Sequence, residues 1–184
     1  DDEKIITHIS NFRKVKHIPD VIQIFYGIQE KMPAKLILVG EGPEKENAEV
    51  LCEKLGISKK VIFLGNTNEV DRILCFSDLF LLPSKSESFG LAALEAMINR
   101  TPVISSNTGG LPEVNIHGVT GYLSDVHDVQ EMTENALKIL KDEETLEKFK
   151  ENAYKEACKF DITNILPLYE AVYQKALKKF YKTV

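Results

Sequence analysis

The chain has 184 residues, 43% hydrophobic and 28% charged, which is the make-up of one globular domain with enough chain for a sizeable core. A formal charge of −5 argues against a dedicated nucleic-acid binder, which would show a basic face. Cys52, Cys75 and Cys158 are far apart and without CxxC or Cys/His ligand spacing, so reduced thiols and a cytoplasmic location are expected, with no secretory leader and no apolar run of the roughly 18 residues that a membrane span needs.

The chain starts at Asp1-Asp2-Glu3-Lys4, a polar approach to a strand or the cut end of something longer. Residues 5–9 are expected as the first strand, and residues 18–32 as a helix carrying Val21, Ile22, Phe25 and Ile28 at helical spacing. A second strand at 35–39 stops at Gly40-Glu41-Gly42-Pro43, and a helix at 44–55 ends on Gly56. A third strand at 60–64 ends at Gly65 and precedes a short helix at 68–76. The fourth strand, 79–82, leads through Ser84–Phe89 into a helix at 90–98. A strand at 102–105, a helical turn at 109–114 and a last short strand at 121–123 follow. Three helices, at about 126–141, 143–159 and 162–182, complete the chain. The last is rich in apolar residues, including Ile162, Ile165, Leu166, Leu168, Tyr169, Val172, Tyr173, Leu177, Phe180 and Tyr181, most of which are expected to pack within the domain.

Strands of continuous apolar residues are buried on both faces. Their alternation with helices predicts an α/β fold, a doubly wound, Rossmann-like parallel sheet with helices on both sides. Ligands in such sheets bind beyond the carboxyl ends of the strands. Residues 10–17, 40–43, 65–67, 84–90 and 106–110 all fall on that rim.

Four segments of the rim carry chemistry. Glu87 and Glu95 bracket the start of a helix; Glu87 suits the helix dipole, and Glu95 suits a vicinal diol. Each also has a plain reading as a surface or capping carboxylate, although the apolar neighbours of Glu95 favour a partner for it. Beside Asn11, the residues Arg13, Lys14, Lys16 and His17 put basic groups on the rim of an acidic protein, fit for a diphosphate or simply solvated. Gly40 and Gly42 let a backbone approach closely, to a ligand or within a tight turn; this is neither GxGxxG nor a P-loop. Gly109-Gly110 offers the same two readings. His8, His17, His117 and His127 show no ligand spacing, and Ser84, Ser86 and Ser88 lack the nucleophile elbow of a hydrolase.

Together, Leu38–Pro43, Val61–Gly65, Ser77–Ser84, Glu87–Ala96, Thr101–Ile104, Gly109–Glu113 and His117–Gly121 resemble, in order and spacing, the C-terminal donor-binding half of family 4 retaining glycosyltransferases of the GT-B fold. Within that family Ile9–Lys16 is most similar to enzymes that join N-acetylglucosamine to L-malate in bacillithiol biosynthesis.

The resemblance implies a UDP-sugar donor, UDP-GlcNAc, and retaining transfer without a metal or other cofactor. It gives Glu87 the catalytic position beside the donor sugar hydroxyls. The amides of Ser88, Phe89, Gly90 and Leu91 would reach the sugar or phosphate, and Glu95 the ribose. Lys16 with Arg13 would hold the diphosphate, Asn11 the nucleotide, and Gly65-Asn66-Thr67 the base, beside Gly40 and Gly42. The family's usual Arg slot holds Asn11 here, and Asn99-Arg100 replaces a small-residue–Gly pair. The acceptor and the first-domain catalytic groups would come from an N-terminal domain outside this chain, against which residues 162–184 would pack; the chain alone would bind UDP weakly and transfer nothing. Nucleic acid and membrane are not expected partners, and homo-oligomerisation stays open. Another UDP- or GDP-sugar transferase, or a non-catalytic nucleotide-binding module, are the alternatives.

Overall fold

The computed structural model describes the backbone of residues 3–181 and the side chains of residues 3–178. Asp1, Asp2, the expected helix end at Lys182 and the side chains of Phe180 and Tyr181 lie outside the described residues.

In chain order the elements are β1 (Lys4–Ile9), a 3-10 turn (Lys14–Lys16), α1 (Ile18–Gln29), β2 (Ala34–Val39), α2 (Lys45–Lys54), a 3-10 turn (Ser58–Lys60), β3 (Val61–Gly65) and α3 (Val70–Cys75). Then come β4 (Leu79–Leu82), α4 (Leu91–Ile98), β5 (Val103–Ser106), α5 (Leu111–Val114), β6 (Gly121–Ser124), α6 (Val129–Leu140), α7 (Glu143–Ala157), a 3-10 turn (Cys158–Phe160) and α8 (Ile162–Tyr181). The strands form one parallel sheet in the order β3-β2-β1-β4-β5-β6, the doubly wound arrangement expected from sequence.

Alternating strand residues feed two cores. Ile6, Leu36, Leu38, Leu79, Leu81 and Ile104 pack with α1, α2 and α6. Phe80, Leu82 and Val103 pack with Ala93, Ala96 and Met97 of α4 and with Ala153 and Ala157 of α7. All four residues of β4 are fully buried, each contributing on the order of 1.5–3 kcal/mol before entropy, so the strand that launches the Glu87 loop is a fixed base.

Most polar residues inside the sheet are paired, the buried Ser106 hydroxyl of β5 being an exception. The Thr7 and Ser77 hydroxyls bond at 2.5 Å, and Ser77 Oγ donates to the Ile73 carbonyl at 2.8 Å. Asn115 ties β5 to β6: its Nδ2 donates to the Val103 and Tyr122 carbonyls at 3.1 and 3.2 Å, and its Oδ1 accepts from Thr120 Oγ1 at 2.8 Å.

Three helices depart from the sequence expectation. α1 stops at Gln29, not residue 32, because the coming Pro33 disfavours helical backbone before it. α6 starts at Val129, not residue 126: His127 is left-handed at φ 72, and Asp128 caps the helix by accepting from the Glu131 amide at 2.9 Å. α8 does not pack within the domain as expected. Ile162, Leu166, Leu168, Tyr169, Val172, Tyr173 and Leu177 are all exposed, because α8 meets the remainder chiefly at the Cys158–Phe160 turn.

Candidate functional site

The strand order reverses between β1 and β4, and the crevice between the loops that follow them is where such sheets hold ligands. Lys16, from the β1 side, forms an ion pair with Glu87, from the β4 side. The two side chains are only 19% and 14% exposed, so the pair is sheltered from most screening. Ser84 Oγ donates to the same Glu87 oxygen at 2.9 Å. The backbones are laced as well, with the Lys85 amide donating to the Val15 carbonyl at 2.8 Å.

Both glycine-rich turns serve this crevice from within the protein. The Gly110 amide donates to the Glu87 carbonyl at 3.0 Å, and Thr108 Oγ1 to the Lys85 carbonyl at 3.3 Å. A Cβ on Gly109, at φ +56, would sit 1.8 Å from the Glu87 carbonyl oxygen. Gly109-Gly110 is therefore the mould of the Glu87 loop. Likewise a Cβ on Gly40 would lie 1.8 Å from the Ser10 carbonyl oxygen, and one on Gly42 would lie 2.7 Å from the Phe12 backbone. The close approach that these glycines permit is between the loops after β1 and β2, with Phe12 fully buried beneath them.

A cleft of about 420 Å³ opens here, lined by Ser10, Asn11, Lys16, Gly40, Asn66, Thr67, Leu91 and Glu95 over an apolar floor of Ile9, Val39, Val70 and Ala92. That size suits a small-molecule ligand. Gly90 starts α4 in the left-handed region at φ 98, with no side-chain cap. The amides of Ser88, Phe89, Gly90 and Leu91 find no acceptor among the described residues. Amides of this kind at a helix start suit an anion. A hollow of about 370 Å³ bounded by Cys75, Ser77, Asn99 and Lys150 lies at the amino end of β4, away from the ligand-binding rim.

Glu95 differs from its expected apolar setting. The buried stripe of α4 is Ala93, Ala96 and Met97, and Glu95 lies off it, exposed, with no hydrogen-bond partner for its carboxylate among the described residues. Partial desolvation, helped by the nearby charge of Asp71, raises its pKa above the ordinary carboxylate value. Among the described residues its carboxylate is unpaired, whereas that of Glu87 is held on two sides.

The fold thus brings Asn11, Lys16, Gly40, Asn66, Thr67, Leu91 and Glu95 to one cleft, with Glu87 against Lys16. Arg13 is exposed and does not line it. Gly42 lies under the loop, and Gly65, at φ +70, accepts at its carbonyl from the Gly40 amide at 2.9 Å. Ser88 is exposed, and Phe89 packs edge-on against Phe160 at 5.8 Å.

Two features escape the sequence. Ser84 and His8 support the site from below. His8 is fully buried, its Nδ1 donating to the Leu81 carbonyl at 2.8 Å and its Nε2 facing Ser10 Oγ at 2.7 Å; burial pushes its pKa down to about 4. The only hint for Ser84 is its spacing three residues before Glu87. The second feature is a pairing that spacing in the sequence does not show. His17 and His127 meet, with ring centroids 4.1 Å apart, beside Asp20, because α1 packs on α6. A separation of 110 residues hides that in sequence.

A doubly wound sheet with an anion-ready helix start, a rim lysine and a free carboxylate at the switch point is a Rossmann-like half of the GT-B fold. The chain belongs to the glycosyl transferases group 1 family, whose pattern matches residues 1–156. It is 44% identical over 182 residues to N-acetyl-alpha-D-glucosaminyl L-malate synthase of Bacillus anthracis, covering 97% of this chain and 47% of that protein. It is 37% identical over 135 residues to D-inositol 3-phosphate glycosyltransferase of Mycobacterium sp. (strain KMS), covering 69% of this chain and 30% of that one. Among solved structures, HepE of Anabaena in complex with UDP and glucose superposes with a TM-score of 0.84 at 25% identity, over 94% of this chain and 48% of that chain. The chain therefore spans about half the length, or less, of these relatives. No described helix is long and apolar enough to cross a membrane.

Proposed function

We propose that this chain is the donor-binding half of a retaining glycosyltransferase that moves N-acetylglucosamine from UDP-GlcNAc to L-malate. The observation that carries the donor site is the cleft in which Lys16 and Glu87 pair across the switch point while Glu95 stays without a protein partner. The sugar and the acceptor follow the name of the 44%-identical relative, and the UDP carrier follows the UDP bound by the superposed HepE structure.

In this reading the ribose diol takes both oxygens of Glu95, and the uracil lies against the Asn66-Thr67 loop. The diphosphate meets the amides at the start of α4 and the Lys16 ammonium. These groups act on the leaving diphosphate, where charge develops as the glycosidic bond breaks, so they stabilise the transition state more than the ground state. Because the groups are fixed beforehand, by the glycine mould and by Ser84, no reorganisation is needed at that moment. Glu87 holds Lys16 before the donor arrives and turns to the sugar hydroxyls when the phosphate takes over the ammonium. The transfer needs no metal in this account; Arg13 acts as an outer, solvent-side cation. The acceptor site and the surface that covers α8 belong to a second domain. The three free thiols fit a cytoplasmic enzyme.

The test is UDP release by the full-length enzyme given UDP-GlcNAc and L-malate. Release that requires both substrates and falls about 10²-fold or more in Lys16→Ala supports the reading. Release with another acceptor and none with malate redirects the acceptor assignment, and turnover unchanged in Lys16→Ala overturns the site.

A further inference from the structure

His17, Asp20 and His127 play no part in the donor cleft, and none of them lines it. His127 Nδ1 lies 2.9 Å from Asp20 Oδ2, and His17 Nδ1 lies 3.6 Å from the same oxygen. The first is a hydrogen bond; the second is too long for one, so the His17 ring nitrogen is aimed at a carboxylate it does not bond. One donor atom from each of the three side chains falls within 4.8 Å of the other two. A tetrahedral zinc ion with bonds of about 2.0–2.1 Å sets its ligand atoms about 3.3 Å apart. The two measured edges bracket that spacing, and the third, within 4.8 Å, closes with a shift of at most about 1.5 Å.

Local backbone supports the arrangement. His17 (φ 50) and His127 (φ 72) are two of the three non-glycine residues with positive φ among the described residues. Each stands at a junction: His17 between the Lys14–Lys16 turn and α1, and His127 just before α6. Asp20 is in the first turn of α1, and its side chain is 13% exposed.

We propose that His17, Asp20 and His127 form a site for a divalent first-row transition ion, with Zn²⁺ favoured by the two-imidazole, one-carboxylate donor set. Such a set leaves a fourth position for water. Its place in the fold makes it a clamp. The ion ties the segment that ends in Lys16 to the loop entering α6, 110 residues away from His17 in sequence, and so steadies the lysine of the cleft without entering it.

The test uses the 184-residue chain with Cys75→Ser and Cys158→Ser, so that the two more accessible thiols do not compete, after removal of metals by a chelator. Zn²⁺ is titrated by calorimetry, and Co²⁺ by its visible absorption. The expected result is one saturable site per chain, a tetrahedral Co²⁺ spectrum, and a melting temperature raised by Zn²⁺. His127→Ala, at a side chain that is 53% exposed and so safe for folding, weakens binding by at least the 10–100-fold that loss of a mere supporting partner costs. Asp20→Asn weakens it as well. Absence of saturable binding, or binding undiminished in His127→Ala, overturns the proposal.

Discussion

Gly109→Ala reports directly on the mould that shapes the Glu87 loop. The new Cβ would lie 1.8 Å from the Glu87 carbonyl oxygen, whereas a relaxed C···O contact needs about 3.3 Å, so one backbone must yield by roughly 1.5 Å. A side chain in the left-handed region, here at φ +56, costs about 1–2 kcal/mol. The displaced loop also loses the 3.0 Å Gly110–Glu87 hydrogen bond, about 1 kcal/mol, and overpacking adds about 1–3 kcal/mol. The expected total is about 3–6 kcal/mol. Gly118→Ala is the control: it too has positive φ (+73), but nothing lies within 4 Å of its Cβ, so only the conformational cost of about 1–2 kcal/mol applies. For a chain of this size each kcal/mol moves the melting temperature by about 2–4 °C. Calorimetric melting of the two variants, with urea unfolding as a check, should separate them by several degrees, and UDP affinity should fall only in Gly109→Ala. Equal losses in both variants would refute the claim that the glycine is there to admit the Glu87 backbone.

Other expectations follow from single groups. His8 is held near pKa 4 against an ordinary 6.5 by burial, so its contribution to stability is full above about pH 6.5 and is lost as pH falls toward 4, about 3 kcal/mol in all. Urea midpoints between pH 7 and 4.5 should show that slope in the wild type and a flatter one in His8→Asn; equal slopes would remove His8 as the cause. Asn115→Leu strands the Val103 and Tyr122 carbonyls and Thr120 in the core and should cost about 2–4 kcal/mol in urea unfolding; a loss below about 1 kcal/mol would mean that these groups find other partners. Asp71→Asn removes a charge that raises the Glu95 pKa. Since the diol needs the ionised carboxylate, the acid-side loss of UDP binding should move to lower pH, and an unmoved profile would detach Glu95 from the ligand.

The sheet was legible because its strands are short apolar runs between glycines, and Leu79–Leu82 has no amphipathic alternative. Asn11 and Lys16 were legible as rim residues because they follow the end of β1, and Glu87 because it follows β4, whereas Glu95 reaches the cleft from within α4. What sequence left ambiguous was what each glycine approaches: Gly40, Gly42, Gly109 and Gly110 all admit neighbouring backbone, a relation set by loops far apart in the chain. Glu95 was placed in an apolar environment from its neighbours in sequence, but helix periodicity turns Ala93, Ala96 and Met97 into the core and leaves Glu95 off that stripe. The apolar residues of α8 were assigned to the core by composition, yet burial depends on having a surface to cover them. His17 and His127 were invisible as a pair because only the packing of α1 on α6 joins them.

The central claim is that the crevice between β1 and β4 is a UDP site read by Glu95 and Lys16. Calorimetry of UDP with this chain tests it most directly, alongside GDP and ADP and with the Glu95→Gln and Lys16→Ala variants. Glu95→Gln is the cleaner change, because that side chain supports no other part of the fold. One UDP per chain is expected, preferred over GDP and ADP, with affinity reduced at least tenfold, about 1.4 kcal/mol, in each variant. UDP bound equally well by both variants, or not bound at all by the wild type, would contradict it.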